Sequence, residues 1–340
     1  MKNNLLIKVD IPGFQFCSGK VRDWTDLPFL NQRLIVSTDR ISAFNHVLSG
    51  GIPNKGVVLN QLSAFFKAFL KERFDLMGLT LQTDLVSSDD RDCFAYLGSR
   101  LSSEQTEKLK GRMSLVKKAE PIPVEAVVRG FSCGSLWEKY SAICGKYGFD
   151  MVPVWGHELP LNLREADQLP KPIFTPTTKA PQGENDTPLR FDEMEQHVNQ
   201  WLSSRPEIKK RTNARVLTEE IRSRSLTIYG IAYEYAKRRG ILIADTKMEF
   251  GINIDEGEAE LHLIDEVLTP DSSRFWDAAE YKAGGPQPSY DKQPVRDWLV
   301  ASGWDKKPPV PSLPSEVIEG TQRRYITAYE RLIGKFQPPA

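Results

Sequence analysis

The spacing of apolar residues predicts that strands dominate the first third of the chain. Four residues at positions i, i+3, i+4 and i+7 form one face of an amphipathic helix. They are Leu62, Phe65, Phe66 and Phe69. Before them, residues 34–36 form an apolar run that ends in a polar Ser-Thr-Asp segment, as expected for a buried strand that leads into a loop. Further strands are predicted over residues 79–86, 113–116 and 124–129.

Helix signals become common after this first third. Ser135 is placed to cap a helix that runs to about Tyr147. Asp192 and Glu195 form a D-x-x-E capping pattern before another helix. Between these helices, residues 153–188 carry seven prolines, which exclude a regular helix because proline lacks a backbone donor. We predict a long loop there, which is either functional or disordered.

The second half of the chain carries the clearest periodic patterns. The longest helix is predicted over residues 213–239, with Gly240 closing it at the C′ position. Two strands are predicted to follow, over residues 241–250 and 260–267, joined by a short acidic turn. A last helix is predicted over residues 315–334, after an extended linker.

Composition narrows the class of protein. The 340 residues carry 45 Lys+Arg and 45 Asp+Glu, so the formal net charge is zero. Proteins that bind nucleic acid or anionic membrane surfaces need a basic excess, so the balance disfavours both functions. With 40% hydrophobic and 26% charged residues, the chain has the composition of a folded globular protein. It has no apolar run of about 18 residues, and we expect neither a signal peptide nor a membrane span.

The cysteines and histidines form no metal-binding or disulfide pattern in the sequence. Four cysteines are spread along the chain without a C-x-x-C pair, and four histidines lie without H-x-x-x-H spacing. We therefore expect reduced thiols, a cytoplasmic location and no zinc site. We also find no Ser-His-Asp or Cys-His arrangement that predicts a nucleophilic enzyme.

The most informative segment for chemistry is Ile243–Gly251. If it forms a strand, Asp245, Lys247 and Glu249 point to one face, because side chains alternate with a period of two. Three charged residues in a row cannot face a dry core, since an unpaired buried charge costs several kcal/mol. This face is therefore either solvated or part of a polar cleft.

The next predicted strand ends in Asp265 and Glu266. If the two strands pair, one of these carboxylates comes near Glu249, and adjacent carboxylates repel each other unless a cation lies between them. Magnesium binds through one or two carboxylates together with phosphate oxygens. With Lys247 and Arg274 close in sequence, the pattern predicts a site for magnesium and a phosphate group.

Two segments near the N-terminus have residues suited to ligands. The Ser18–Arg22 turn can surround a phosphate with backbone N–H groups and two cations, although a hairpin turn with exposed cations is the alternative. Asp39, Arg40 and Ser42 follow a predicted buried strand, where polar loops often hold ligand groups. The alternative there is a simple turn in which Asp39 pairs with Arg40.

Other candidates have equally plain alternatives. Arg129 and Ser135 flank a strand-to-helix connection whose backbone amides can bind an anion, whereas a structural cap at Ser135 is the alternative. Lys55 either adds a cation or belongs to a turn. Capping explains Asp291 at the start of a predicted helix, but capping does not explain Lys292.

Together, these segments resemble the SAICAR synthetase family, the phosphoribosylaminoimidazole-succinocarboxamide synthases of purine biosynthesis. They occur in the family's order and cover most of the chain from about residue 14 to 300, and the resemblance is closest to the longer, single-activity form. The matching segments are SGKVRD (18–23), TDRISAF (38–44), PIPVEAVVRGFSCGS (121–135), PIFTPTTKA (172–180), ADTKMEFG (244–251), DEVLTPDSSRFW (265–276) and DKQPVRDWL (291–299).

The resemblance implies a two-lobed α+β fold and a reaction. Residues 1–117 are expected to form an antiparallel lobe similar to the ATP lobe of protein kinases, and residues 118–307 a larger α+β lobe for substrate and metal. Residues 308–340 are expected to form a linker and a helix that packs back on the body. In the implied reaction, ATP, L-aspartate and carboxyaminoimidazole ribotide (CAIR) give SAICAR, ADP and phosphate, with magnesium required. The implied protein is a monomer or small homo-oligomer.

The resemblance also assigns roles to residues. The Ser18–Arg22 loop is expected to cover the ATP phosphates, and Glu249 and Asp265 to bind magnesium. The stretch from Val116 to Ala119 is expected to hold adenine. The implied ATP-binding residues are Ser18, Gly19, Lys20, Val21, Arg22, Val116, Ala119 and Glu249. The implied ribotide contacts are Arg129, Ser135, Asp245, Lys247 and Arg274, with Lys292 at the rim. The aspartate is expected near Asp39, Arg40 and Ser42. The implied catalytic residues are Lys20, Asp245 and Lys247.

The residue chemistry agrees with such a reaction. A carboxylate is a poor electrophile, and its phosphorylation gives a mixed anhydride that an amine can attack. Phosphoryl transfer depends on positioning and charge neutralisation rather than on a covalent protein nucleophile. One rival is a small-molecule kinase of the same lobe plan, which would transfer phosphate without using an amine. Another is a non-catalytic nucleotide-binding protein, which has no need for Lys20, Glu249 and Asp265.

Overall fold

The computed structural model describes residues 5–27, 30–44, 46–145, 151–180, 185–255 and 257–338. Two units make up the fold: Met1–Ala119, Glu266–Asp271 and Tyr290–Ala340 form unit 1, and Glu120–Asp265 and Ser272–Ser289 form unit 2. The first boundary lies close to the predicted one at 117/118. Residues 290–340 group with the N-terminal unit, whereas the sequence predicts a second lobe that continues to residue 307 and a separate segment after it.

Both units mix helices with antiparallel strands, which confirms the predicted α+β class. The strands are β1 (Cys17–Ser18), β2 (Arg22–Leu27), β3 (Gln32–Ser37), β4 (Ser42–Ala43), β5 (His46–Val47), β6 (Gln82–Thr83), β7 (Leu85–Ser87), β8 (Met113–Lys117), β9 (Glu120–Phe131), β10 (Met151–Val154), β11 (His157–Pro160), β12 (Gln168–Phe174), β13 (Thr177–Thr178), β14 (Ile241–Asp255), β15 (Glu258–Ile264) and β16 (Ser273–Asp277). The helices are α1 (Lys55–Leu76), α2 (Asp90–Leu97), α3 (Ser103–Leu109), α4 (Ser135–Ile143), α5 (Phe191–Ser203), α6 (Pro206–Lys209), α7 (Ala214–Lys237), α8 (Gln293–Ala301) and α9 (Ser315–Ile333).

Unit 1 contains an antiparallel sheet with the strand order β1-β2-β3-β8-β7. Leu34 and Val36 on β3 are fully buried, because alternate side chains of a strand point to the same face. The predicted helix with an apolar face is confirmed as α1, and it buries Leu62, Phe66 and Leu70 completely. The predicted strand over 79–86 is instead two short strands, β6 and β7.

A buried ionic cluster ties the C-terminal helix to the rest of unit 1. Lys55, at the start of α1, lies 2.7 Å from Asp271, and both side chains are at most 4% exposed. The Tyr325 hydroxyl on α9 donates to the same carboxylate. Burial would raise the pKa of Asp271, but Lys55, Lys292 and the Tyr325 hydrogen bond hold it below its ordinary value. Lys55 is therefore a buried cation rather than an exposed turn residue.

Unit 2 contains an antiparallel sheet whose central strand is β14. Within this unit, β9 pairs with one edge of β14. On the other edge, β16 pairs with the first half of β14 and β15 pairs with its second half. The strands predicted over 241–250 and 260–267 are confirmed, although β14 extends to Asp255. Of the predicted acidic turn, Glu256 lies outside the described residues. Helix α7 packs on this sheet, and Tyr229 donates a 2.7 Å hydrogen bond to the Ile243 carbonyl.

The proline-rich segment is not the long loop that the sequence predicts. It contains β10 and β11, which form a two-stranded ribbon, followed by β12 and β13, which pair with β9. Strands tolerate proline where no ladder donor is needed, at edges and irregularities. Pro170 and Pro172 lie in a register irregularity of β12 between Gln168 and Ile173. Residues 181–184 lie outside the described residues.

Two predicted helix caps are wrong. Gly134 rather than Ser135 is the N-cap of α4, and this helix ends at Ile143. The predicted end at Tyr147 lies outside the described residues. At α5, the N-cap is Arg190, whose backbone N–H donates to Glu193 Oε2 at 2.7 Å, so the predicted pattern starts two residues too late. Backbone geometry decided both positions, because several polar residues compete for each helix start.

The predicted caps of the longest helix fit the structure. Asn213 caps α7 by accepting a hydrogen bond from the Val216 N–H, and Gly240 follows the helix with φ of +76°. The last predicted helix is confirmed as α9. Across the described ranges, helices that combine the length and the apolar character needed to span a membrane are absent.

Candidate functional site

The three charged residues predicted to share one face of β14 do so, and we call Asp245, Lys247 and Glu249 the β14 row. Asp245 lies opposite Arg129 on β9 and also opposite Arg274 on β16. The register irregularity between Ile243 and Asp245 brings about the second alignment. A single carboxylate is thus flanked by a guanidinium on each neighbouring strand.

Arg129 is held on several sides. Its side chain is 8% exposed, and its Nη1 donates to Asp245 Oδ2 at 3.3 Å. Its Nε donates to Thr175 Oγ1 at 2.9 Å, and its Nη2 donates to Ser135 Oγ at 3.1 Å. The guanidinium carbon lies 5.6 Å from the ring centre of Trp155. The Ser135 hydroxyl therefore accepts a hydrogen bond from Arg129 instead of capping its own helix.

Arg274 makes a short contact to Asp245. Its Nη1 donates to Asp245 Oδ2 at 2.6 Å and lies 3.4 Å from the Cys133 sulfur. The Cys133 thiol in turn lies 3.8 Å from the same carboxylate oxygen. Gly134 has φ of +55°, and a Cβ atom there would lie 2.4 Å from both terminal nitrogens of Arg274. Only glycine leaves room for the guanidinium in this position.

The other end of the row is a chain of alternating charges. Lys247 Nζ donates to Glu125 Oε1 at 2.7 Å and to Glu249 Oε1 at 3.0 Å. Lys179 Nζ donates to the second oxygen of Glu249 at 2.5 Å. Glu125 and Glu249 are directly opposite residues of β9 and β14, so the lysines offset a repulsion between like charges.

Burial and neighbouring charges shift the proton affinities in the site. Burial lowers the pKa of Arg129 below its ordinary value, although Asp245 opposes this. Burial also raises the pKa of the Cys133 thiol to about 12, so this group is a neutral thiol. Burial alone would lower the pKa of Lys247, but the carboxylates of Glu249, Glu125 and Asp265 raise it above its ordinary value. Lys247 is therefore a permanent cation.

Glu249 and Asp265 are compatible with the predicted magnesium site. Asp265 directly follows Ile264, which lies opposite Glu249, and its charge acts on Lys247. The donor set is hard and contains only oxygen, as magnesium prefers when phosphate supplies the remaining ligands. The described part of the chain has no group of three or more His, Cys, Asp or Glu residues arranged to hold a metal by themselves. In this structure, lysine ammonium groups provide the positive charge at Glu249.

The Ser18–Arg22 segment forms the turn between β1 and β2, in which the Gly19 N–H donates to the Arg22 carbonyl at 2.8 Å. Arg40 stabilises this turn, because its side chain donates hydrogen bonds to the carbonyls of Gly19 and Lys20 at 3.0 and 3.2 Å. Arg40 also pairs with the buried Asp23 at 2.8 Å. The segment is thus an anchored hairpin, and its contact with phosphate stays a prediction.

Asp39 is fully buried and holds together three parts of unit 1. Its Oδ1 accepts hydrogen bonds from the Gly56 N–H at 3.0 Å and from Arg112 at 2.7 Å, and its Oδ2 accepts one from the Leu6 N–H at 2.9 Å. This arrangement favours a structural role over the substrate contact that the sequence predicts. The alternative, a turn pair with Arg40, is wrong because Arg40 pairs elsewhere.

The remaining predicted residues are spread over unit 1. Ser42 is half-buried on β4, and Val116 is buried on β8. Ala119 is the last residue before the boundary between the units. Lys292 precedes α8, where burial lowers its pKa and Asp271 opposes this effect. Lys292 therefore belongs to the neighbourhood of the buried ionic cluster.

The sequence did not single out two residues that complete the unit 2 site. Glu125 lies four residues before Arg129 on the same strand, and the period of two places them on one face. That spacing could have identified Glu125. No comparable signal existed for Thr175, which reaches Arg129 only through the pairing of the proline-rich segment with β9.

Comparisons with known proteins indicate the family of this chain. The SAICAR synthetase family model matches residues 15–311. A phosphoribosylaminoimidazole-succinocarboxamide synthase of Desulfosudis oleivorans is 42% identical, over 98% of this chain and 100% of that protein. A solved SAICAR synthase of Saccharomyces cerevisiae, complexed with SAICAR, has a TM-score of 0.78 at 36% identity, over 97% of this chain and 99% of that one. A solved SAICAR synthetase (Type-2) in complex with ADP shares the fold. Its TM-score is 0.60 at 23% identity, over 95% of this chain and 99% of that one. The chain therefore belongs to the SAICAR synthetase family.

Proposed function

We propose that this chain joins L-aspartate to CAIR through a carboxyl phosphate, with the β14 row and its arginines holding the ribotide. ATP-dependent ligation of aspartate to CAIR, which yields SAICAR in purine biosynthesis, is the activity of the family to which the chain belongs. The order of the steps and the role of each residue belong to the proposal.

One observation carries the assignment of the ribotide site. Asp245 is flanked by Arg129 and Arg274 on the two neighbouring strands, so two guanidinium groups converge on one place. Guanidinium groups bind phosphate and carboxylate through paired hydrogen bonds. The ribotide carries both kinds of anionic group. The arrangement therefore suits it better than a neutral substrate.

Glu249 and Asp265 would hold magnesium next to this place, and the metal would supply charge neutralisation for the phosphates of ATP. Lys247 keeps its positive charge beside them, because three carboxylates raise its pKa. We assign the Ser18–Arg22 hairpin to the ATP phosphates, with Lys20 as the main cation. The backbone around Val116–Ala119 is assigned to adenine. Asp39 is left out of the aspartate site because it is fully buried.

We also propose a cytoplasmic location. All four cysteines are free thiols, which supports a reducing compartment.

In unit 2, Cys133 lies beside Asp245 and Arg274 as a neutral thiol. Its high pKa makes it a poor nucleophile, so the thiol does not take part in covalent catalysis.

The deciding experiment is an absorbance assay of the purified protein with ATP, magnesium, L-aspartate and CAIR, in which each component is omitted in turn. Product formation that requires all four components is expected. ATP turnover that needs the ribotide but not aspartate would indicate the small-molecule kinase instead. No turnover under any condition would indicate a binding protein.

We expect Lys20→Ala to raise the KM for ATP about tenfold or more while the KM for CAIR changes little, since a charge-assisted contact to phosphate contributes about 1.5–3 kcal/mol. Steady-state kinetics with each substrate varied separately would measure this. Lys71→Ala is the control, because Lys71 pairs only loosely with Asp75 on the exposed side of α1. Equal increases for ATP and CAIR would contradict the assignment.

We expect Gly134→Ala to raise the KM for CAIR on the order of tenfold, because the new Cβ would occupy the place of the Arg274 guanidinium. Gly145→Ala is a matched control, since Gly145 also has a positive φ, of +76°, but a Cβ there meets nothing within 4 Å. Both variants bear backbone strain, and only Gly134→Ala displaces the arginine. The same change in KM for both variants would show that strain rather than displacement is responsible.

A further inference from the structure

Three of the four contacts described above for Arg129 come from residues on or next to the elements that enclose a small hydrophobic cluster beside the sheet of unit 2. The cluster packs α4 against the β10–β11 ribbon and β12, and its buried core residues are Leu136, Tyr140, Val152, Val154, Leu159, Leu169 and Ile173. Ser135 lies at the start of α4, Trp155 at the tip of the ribbon, and Thr175 just after β12. Only Asp245, the fourth contact, comes from β14.

Trp155 has an unusual backbone conformation for its type. Trp155 and Gly156 form the two-residue turn between β10 and β11, with φ of +50° and +84°. A turn of this kind needs positive φ at both positions and strongly favours Asn-Gly or Asp-Gly. A bulky aromatic residue is strained there, and such outliers persist where they serve a function.

The ribbon tip is fixed in relation to Arg129. His157 Nε2 lies 2.7 Å from the Phe174 carbonyl oxygen, and the next residue, Thr175, accepts the hydrogen bond from Arg129 Nε at 2.9 Å. The Trp155 ring is half-buried against the cluster, and its centre lies 5.6 Å from the Arg129 guanidinium carbon. An aromatic face at this distance attracts a guanidinium.

We propose that Trp155 is a positioning residue for the ribotide: its ring holds the Arg129 guanidinium in the orientation that binds the anionic substrate. This inference rests on the proposed function, in which Arg129 contacts the ribotide. The guanidinium donates hydrogen bonds to Thr175, Ser135 and Asp245, which fix its edge, and the ring covers its face. The strained turn residue is thereby explained by its effect on a neighbouring side chain.

The test compares Trp155→Phe with Trp155→Leu. Both variants keep an apolar side chain in the strained turn, and only phenylalanine keeps an aromatic face. We expect the KM for CAIR to rise about threefold to tenfold in Trp155→Leu and less than about twofold in Trp155→Phe, with kcat and the KM values for ATP and aspartate little changed. Trp155→Asn, which suits the turn but lacks the ring, should match the leucine variant and provides the measurement if that variant does not fold.

Trp137→Leu is the matched control. Trp137 belongs to the same cluster and stacks on Tyr140 at 5.7 Å. It should lower the melting temperature without changing the KM for CAIR. A similar rise in KM in this control, or an equal KM in the phenylalanine and leucine variants of Trp155, would overturn the inference. Wild-type protein that lacks aspartate-dependent turnover would instead overturn the proposed function.

Discussion

Replacement of Glu249 by glutamine should reduce turnover on the order of 1,000-fold or more while leaving the protein folded. Glu249 is the proposed magnesium ligand on β14, and its oxygens now accept hydrogen bonds from Lys247 and Lys179. Glutamine keeps the size and one acceptor oxygen but removes the charge that a divalent cation needs. Steady-state rates at increasing magnesium concentration would measure the loss.

The small effect expected on stability has a structural reason. Glu249 lies directly opposite Glu125, so removing one charge relieves a repulsion at the same time as it weakens the two lysine contacts. We expect the melting temperature to change by only a few degrees, where about 1 kcal/mol corresponds to about 2–4 °C. Glu258→Gln, at an exposed position of β15, is the control and should change neither quantity. Wild-type activity of Glu249→Gln at saturating magnesium would rule out the metal assignment.

The second large effect is expected for Asp245→Asn, which should lower both activity and stability. Without the carboxylate, Arg129 and Arg274 face each other across β14 with no anion between them. Loss of one partner of a buried ion pair destabilises a protein by about 3–5 kcal/mol. Because Arg274 is partly exposed, we expect a loss of about 3 kcal/mol or less for this variant. Turnover should fall about 100-fold to 1,000-fold, because the arginines are no longer held in position.

A second substitution separates the two effects of Asp245→Asn. Adding Arg274→Gln to this variant removes one of the repelling cations, so part of the lost thermal stability should return. Activity should stay low, because Arg274 is a proposed ribotide contact. Thermal unfolding of the single and double variants, together with the CAIR kinetics, would measure this. A double variant less stable than Asp245→Asn alone would contradict the proposed repulsion.

The alternation of polar and apolar residues was enough to predict the β14 row. It placed Asp245, Lys247 and Glu249 on one face. It also predicted Asp265 or Glu266 near Glu249, and Asp265 directly follows Ile264, the residue opposite Glu249. The helices α1, α7 and α9 were equally clear, because each has a periodic apolar face or recognisable end signals. Local patterns of this kind depend only on neighbouring residues.

Contacts between distant parts of the chain could not be predicted from such patterns. Asp39 pairs with Arg112, which is 73 residues away, so its role as a buried anchor was not visible in the sequence. The pairing of Asp271 with Lys55 is a similar case. In the proline-rich segment, the prolines indicated a loop. The local sequence does not reveal that β9 offers a free edge with which residues of this segment can pair.

Because β14 is the central strand, the number of its residues matters for the site as much as their type. Because its charged row shares a face by alternation, inserting or deleting one residue between Ile243 and Glu249 would change the parity of the strand. The charges would then take the positions of Thr246 and Met248, which are fully buried. The strand therefore has to keep its residue count for the site to form.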